Sequence, residues 1–211
     1  MAGYEDEFTN LLYHSLCLAI LGLKGDEMNE IEVKAKLNNE KQVLEKLTEA
    51  GIKLSPSLSQ QDDIYVALGE DLCGNKKKNV LRVRTQGKEI IFTLKRSRTN
   101  ELDCIEKETK VSDKKALEDM LDQMSYKKVI SVSKKRRKGK FEDLVICLDE
   151  VEGLGSFIEV EKTSAEDGEA IQEELFNFLE SLGVKREDRV FKGYDTLKYD
   201  SINQKGDKND S

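Results

Sequence analysis

Charged residues recur two apart along short β-prone stretches of this chain, a spacing that could do chemistry. Glu30, Glu32 and Lys34 alternate with Ile31, Val33 and Ala35. Arg82 and Arg84 alternate with Leu81 and Val83, and Lys95 falls on the face opposite Ile90, Phe92 and Leu94. Glu106 and Glu108 form another acidic pair and Lys134 and Arg136 a basic one. Asp149 follows, and Glu159 and Glu161 alternate with Ile158 and Val160. Side chains two apart on a strand point to one face, so each group presents its charges together. Clustered carboxylates on rigid strands bind hard divalent cations, usually Mg²⁺ or Mn²⁺. Clustered Arg and Lys bind phosphate oxygens, Arg through a two-point fork. A site holding both suits a metal–polyphosphate complex.

The elements that must position these residues are strands. Periodicity predicts them at Glu30–Leu37, Gln61–Leu68, Val80–Thr85, Lys88–Lys95, Cys104–Val111, Lys128–Arg137, Leu144–Val151 and Ser156–Glu161. Three amphipathic helices are predicted: Asn39–Ala50 ending at Gly51, Asp113–Met124 after an N-cap at Ser112, and Ala165–Leu182 after Ser164. Two accounts of the charged faces compete. One is a solvated face of a flat antiparallel sheet, whose cross-strand ion pairs are worth little. The other is a sheet closed into a barrel with a charged lumen, its apolar exterior covered by the helices. The second explains better why Arg pairs and Glu pairs recur with almost no Ser or Thr between them.

Composition narrows the class. The 211 residues carry a net charge of −7 with 36% charged residues, which fits one acidic globular domain. Four scattered cysteines (Cys17, Cys73, Cys104 and Cys147) form no CxxC pair, so free thiols in a reducing, cytoplasmic setting are expected. His14 is the only histidine, which excludes His dyads and multi-His metal sites. The apolar stretch Leu11–Leu23 falls short of the ~20 residues a membrane span needs, and no membrane partner is expected. Its helical face (Phe8, Leu12, Leu16, Ile20 and Leu23) is expected to pack on the domain or on a second subunit, leaving a homodimer open. Residues 1–27 read as a helical extension, Gly69–Lys78 as a loop, and residues 200–211 as a disordered polar tail. Lys127–Lys140 holds eight basic residues and no acidic one. The aromatic interleaving of a single-strand binder is missing, so no nucleic acid is expected.

In order along the chain, these motifs resemble the CYTH superfamily, the triphosphate tunnel metalloenzymes. Glu30-Ile-Glu32-Val-Lys34 is similar to its ExExK signature, Gln61-Asp-Asp63-Ile-Tyr65 to QxDxY, and Leu81-Arg82-Val-Arg84 to LRxR. Thr93-Leu-Lys95 is similar to TxK, Glu106-Lys-Glu108 to the next acidic pair, and Lys134-Lys-Arg136 to KxR. The run from Leu148 through Asp149, Gly153, Gly155, Phe157 and Glu159 to Glu161 resembles LDxVxGLGxFxExE and is the most specific. Gly193-Tyr194-Asp-Thr-Leu197 resembles the closing SYxxL, with Gly for Ser. The resemblance covers residues 28–199. It implies an α+β fold: a closed eight-stranded antiparallel β-barrel with flanking α-helices. It also implies that Glu30, Glu32, Asp149, Glu159 and Glu161 hold Mg²⁺ or Mn²⁺, and that Lys34, Arg82, Arg84, Lys95, Lys134 and Arg136 grip a triphosphate. Glu106 and Glu108 are further lumen residues. In the basic strand, Lys135 and Arg137 are the alternative inward pair.

The Leu148–Glu161 run most resembles the class IV adenylyl cyclase branch, which implies ATP as substrate and cyclic AMP and pyrophosphate as products. Hydrolysis of inorganic, thiamine or nucleoside triphosphate is the alternative, and a non-catalytic polyphosphate or nucleotide binder is a third. The grip residues serve all three. Lys34 is the one candidate catalytic base, although Glu30 and Glu32 beside it favour its charged form.

Overall fold

The computed structural model describes residues 28–72 and 79–206. The extension 1–27, most of the 69–78 loop and residues 207–211 lie outside the described residues, and with them Cys17 and Cys73. The strands are β1 (Asn29–Lys36), β2 (Leu58–Ala67), β3 (Asn79–Gln86), β4 (Glu89–Ser97), β5 (Asp103–Val111), β6 (Tyr126–Phe141), β7 (Leu144–Val151), β8 (Gly155–Ser164) and the short β9 (Arg189–Val190). Helices α1 (Glu40–Glu49), α2 (Lys114–Gln123), α3 (Gly168–Ser181) and α4 (Tyr194–Gly206) complete the order.

Eight strands pair antiparallel in the order β5-β4-β3-β2-β6-β7-β8-β1, and β1 returns to β5 to close the barrel. Closure runs through Glu30↔Cys104 and Ile31↔Asp103; further along β1, Lys34 and Ala35 pair instead with Val190 and Arg189 of β9. A register shift in β2 at Ile64/Tyr65, where it meets β6, supplies the local bend that a closed sheet needs.

Alternation decides which side is which. The outward residues of β1, β7 and β8 (Ile31, Val33, Ile146, Leu148, Ile158 and Val160) are buried under α1 and α3. Val43 and Leu47 of α1 and Ile171, Leu175, Phe176 and Leu179 of α3 meet them there. On the other side, Leu117 and Leu121 of α2 cover Tyr65, Leu81 and Val83. Truncating a core side chain such as Leu175 to Ala removes both transfer energy and packing, about 2–5 kcal/mol. The polar alternates are thereby forced inward.

Helix starts and the chain's end differ from expectation. The α2 cap is Asp113, not Ser112, and its carboxylate accepts from Ala116 N. The α3 cap is Asp167, not Ser164, accepting from Glu169 N and Ala170 N. A carboxylate at the cap also meets the positive helix end, which favours Asp over the nearby Ser. Residues 200–206 are helical rather than an irregular tail. They continue α4, which is anchored by Tyr194, Leu197 and Tyr199: Tyr194 and Leu197 pack with Val132, Val151 and Phe157, and Tyr199 packs beside Ile64 and Ile130. α4 thus fills one end of the barrel instead of covering its outside. Among the described residues, no helix is long and apolar enough to cross a membrane.

Candidate functional site

The barrel encloses a cavity of about 420 Å³, and its lining includes Glu30, Glu32, Lys34, Arg82, Arg84, Lys95, Glu106, Glu108, Lys134, Arg136, Glu159 and Glu161. Every sequence-predicted site residue except Asp149 lines it. The basic strand is in the register Lys134/Arg136: both are buried, whereas Lys135 faces Glu150 and Arg137 reaches Glu40 on the outside.

Charge is segregated around the lumen. Strands β4, β3 and β6 carry bases, whereas β7, β8, β1 and β5 carry acids. Two residues break the rule: Asp62 of β2 stands among the bases and Lys34 of β1 among the acids. Each is held by the opposite sign around it. Lys34, only 2% exposed, lies 3.1 Å from Glu32 Oε1 and 3.3 Å from Glu159 Oε1 and donates to the Lys192 carbonyl at 3.2 Å. Burial opposes its charge, but Glu32 and Glu159 outweigh that and raise its pKa above the usual lysine value. Asp62 accepts from Arg84 Nε at 2.7 Å and Nη2 at 2.8 Å.

The remaining bases are shared among acids. Arg82 Nη2 donates to Glu106 at 2.7 Å and Glu108 at 2.8 Å, and its buried Nε makes no hydrogen bond. Lys95 bridges Glu106 and Glu30. Arg136 donates from Nε to Asp149 Oδ1 at 2.7 Å, reaches Glu159, and stands 3.4 Å from Glu161. Asp149 therefore sits behind the cavity wall, with both carboxylate oxygens on Arg136.

The acidic side carries more charge than it comfortably holds. Burial pushes Glu32 up to about 8, reinforced by Glu159, and pushes Glu30 up to about 7, reinforced by Glu106 and Glu161. Burial works against the Glu106 carboxylate too, yet Lys95 and Arg82 hold it down to about 2. On the basic side, burial and the neighbouring Arg136 lower Lys134 to about 8. Crowded buried carboxylates of this kind favour a divalent cation, which would replace their protons. Two observations fit that group. Glu32 Oε1 is buried without a well-directed hydrogen bond, although Lys34 stands nearby. Glu159, Glu161 and the Cys147 thiol have ligand atoms within 4.8 Å of one another.

Several lumen residues escaped the sequence reading. Asp62, Cys104, Cys147 and Lys138 all sit at inward positions that the two-residue alternation marks. In β2 the motif residues Gln61, Asp63 and Tyr65 form the outward row, where Asp63 binds Lys114 and Ser131 and Tyr65 binds Glu118. Tyr194 enters from α4, its ring 4.2 Å from Lys34 Nζ and 5.0 Å from Lys134 Nζ.

Comparison with known proteins agrees with this geometry. The family model described as the CYTH domain matches residues 28–194. A Methanocaldococcus jannaschii protein, provisionally named an adenylate cyclase, is 28% identical over 171 residues, 79% of this chain and 97% of its own. A solved Pyrococcus horikoshii protein superposes with a TM-score of 0.67 at 28% identity, covering 80% of this chain and 97% of that one. A Hippeastrum protein, provisionally an adenylyl cyclase and described as having a dominant triphosphatase activity, shares the fold with a TM-score of 0.55. It is 17% identical, over 82% of this chain and 95% of that one.

Proposed function

The chain belongs to the CYTH domain family, and from that premise we propose that it is a metal-dependent enzyme that converts ATP, held by its triphosphate inside the barrel, to cyclic AMP and pyrophosphate. The observation that carries the metal–triphosphate part of this reading is the division of the lumen into a basic arc on β4, β3 and β6 and an acidic arc on β7, β8, β1 and β5. A free anion would need only the first and a free cation only the second. The Leu148–Glu161 run, similar to the cyclase branch, favours cyclisation over hydrolysis.

Glu30, Glu32, Glu159 and Glu161 would hold Mg²⁺ or Mn²⁺, and Asp149, behind the wall, orients Arg136 beside them. When bound, that cation offsets charge on the phosphoryl oxygens and makes phosphorus more open to attack. Arg82, Arg84, Lys95, Lys134 and Arg136 grip the phosphate oxygens from the opposite arc. Their present acidic partners keep them in place and give way to phosphate. Lys34 stays protonated between Glu32 and Glu159, so it serves as a fixed charge and donor to the substrate rather than as a proton acceptor. The barrel wall holds the polyphosphate extended with the ribose 3′ oxygen at the α-phosphorus: that oxygen bonds to the α-phosphorus as its proton passes to solvent water, the bridging P–O bond between the α- and β-phosphates breaks, and pyrophosphate departs.

Hydrolysis at a terminal phosphorus is the second reading. The same grip serves it, and the activity described for the Hippeastrum protein favours keeping it in view. The deciding experiment incubates the protein with ATP, thiamine triphosphate and inorganic triphosphate in turn, with Mg²⁺ or Mn²⁺, and identifies the products. Cyclic AMP with pyrophosphate from ATP is expected. Orthophosphate from inorganic or thiamine triphosphate, with no cyclic nucleotide, would transfer the protein to the hydrolytic reading. Tight binding without turnover would make it a polyphosphate or nucleotide binder.

A further inference from the structure

Beyond the charged arcs, the cavity has a rim of different character. Phe191 follows β9, lines the cavity and is 63% exposed. It is the one aromatic residue among the large apolar side chains exposed in the described residues. Its position is fixed from behind. The Arg189 guanidinium lies 4.9 Å from the Phe191 ring centroid and 4.8 Å from that of Phe176, which is fully buried in α3. Arg189 is in turn paired with Glu173. A ring ordered in this way and left open to a cavity loses little freedom when another ring settles on it.

The charge beside it points the same way. Glu101 and Asp195 line the same rim, Glu101 accepts from Gly193 N at 2.9 Å, two residues from Phe191, and Lys192, which also lines it, donates to Asp200 at 2.6 Å. Carboxylates there repel phosphate, which belongs deeper among Arg82, Lys95 and Lys134. They tolerate a neutral or cationic ring carrying amino groups.

We propose that Phe191 is the stacking platform for an aromatic ring carried by the triphosphate substrate, so that the site takes a nucleoside or similar aromatic triphosphate in preference to the inorganic ion. This rests on the reading of the lumen as a triphosphate site. The shared chemistry is a flat nitrogen heterocycle, found both in a nucleobase and in thiamine.

The test compares triphosphates that carry an aromatic ring with one that does not. Affinities of the full chain with Mn²⁺ are measured by calorimetry for inorganic triphosphate, for a non-hydrolysable ATP analogue and for thiamine triphosphate. Phe191→Ala should raise Kd about tenfold for the ring-bearing ligand that fits, and leave Kd for inorganic triphosphate within twofold. Phe191→Trp should restore it, and Phe191→Leu should not. A larger effect on the ATP analogue assigns the nucleobase; a larger effect on thiamine triphosphate assigns thiamine. Equal changes for ligands with and without the ring, no change for any, or full rescue by Leu would overturn the inference while leaving the triphosphate site standing. If the wild-type chain binds none of the three, the triphosphate reading itself falls, and this inference with it.

Discussion

Arg84 and Asp62 meet in a two-point fork, Nε to Oδ1 at 2.7 Å and Nη2 to Oδ2 at 2.8 Å, with both side chains buried. Burial raises the cost of the Asp62 charge, yet Arg84 and Lys134 hold its pKa far below the usual carboxylate range. Asp62 is thus a counter-ion of the basic arc, and it fixes the plane of the Arg84 guanidinium.

Asp62→Asn should show this. Removing one partner of a buried pair leaves the other uncompensated, a loss on the order of 3 kcal/mol. Phosphate oxygens can supply what the carboxylate no longer does, so Mg²⁺ with inorganic triphosphate should narrow the stability gap to wild type. Urea unfolding with and without ligand measures it. An unchanged gap would mean that Arg84 does not meet phosphate.

The two acids of β8 should behave differently. Glu159 is buried between Lys34 and Arg136, whereas Glu161 is partly open and only 3.4 Å from Arg136 at its nearest. Glu161→Gln should abolish most metal-dependent turnover, by 100-fold or so if it holds the cation, with a melting temperature close to wild type. Glu159→Gln should lose turnover and also stability, because it leaves two buried cations short of a partner. Turnover against Mn²⁺ concentration, run beside thermal unfolding, separates the two. A Glu161→Gln protein with wild-type metal dependence would remove Glu161 from the metal set.

The pH dependence of the outer shell has a definite sign. Asp63, buried between β2 and α2, accepts from Lys114 Nζ at 2.8 Å and Ser131 Oγ at 2.6 Å. Burial alone would raise its pKa, but these hydrogen bonds and the positive charges bring it below the ordinary 3.8. Its contribution is therefore complete above that value and lost as pH falls through the folded-state pKa. Asp63→Asn should cost about 1–3 kcal/mol at pH 7. The difference from wild type should stay level down to about pH 5 and shrink in more acid solution. A difference that grew on acidification would contradict the assignment.

The barrel was legible in the sequence because alternation carries information residue by residue. Once Ile31, Val33 and their counterparts must face the helices, Glu30, Glu32 and Lys34 have only the lumen left. What alternation leaves out is where a carboxylate turns once inside. Asp149 points inward as expected, yet its oxygens go to Arg136 and not to the cavity surface. The end of the chain was harder still. α4 has no apolar stripe to announce it; a few residues, Tyr194, Leu197 and Tyr199, enter the barrel's end while their neighbours stay polar. The cap positions were missed by one to three residues, where Ser and Asp compete for the same role.

Tyr194 offers the sharpest separation of ring from hydroxyl. Its ring stands 4.2 Å from Lys34 Nζ and 5.0 Å from Lys134 Nζ and packs edge-on against Phe157 at 5.1 Å. Its hydroxyl is buried without a hydrogen bond, and burial drives its pKa well above the usual tyrosine value, so it stays neutral. The ring face attracts both ammonium groups, a contact worth about 2 kcal/mol when desolvated, whereas the unpaired hydroxyl costs about 1–3 kcal/mol. Tyr194→Phe should therefore keep turnover and stability at or above wild type. Tyr194→Leu preserves apolar bulk but removes the π face, so Lys34 and Lys134 lose a common support and triphosphate should bind about tenfold more weakly. Melting temperature and triphosphate affinity of the two variants decide the matter. If Phe is the damaging substitution and Leu the harmless one, the hydroxyl, not the ring, acts on the substrate.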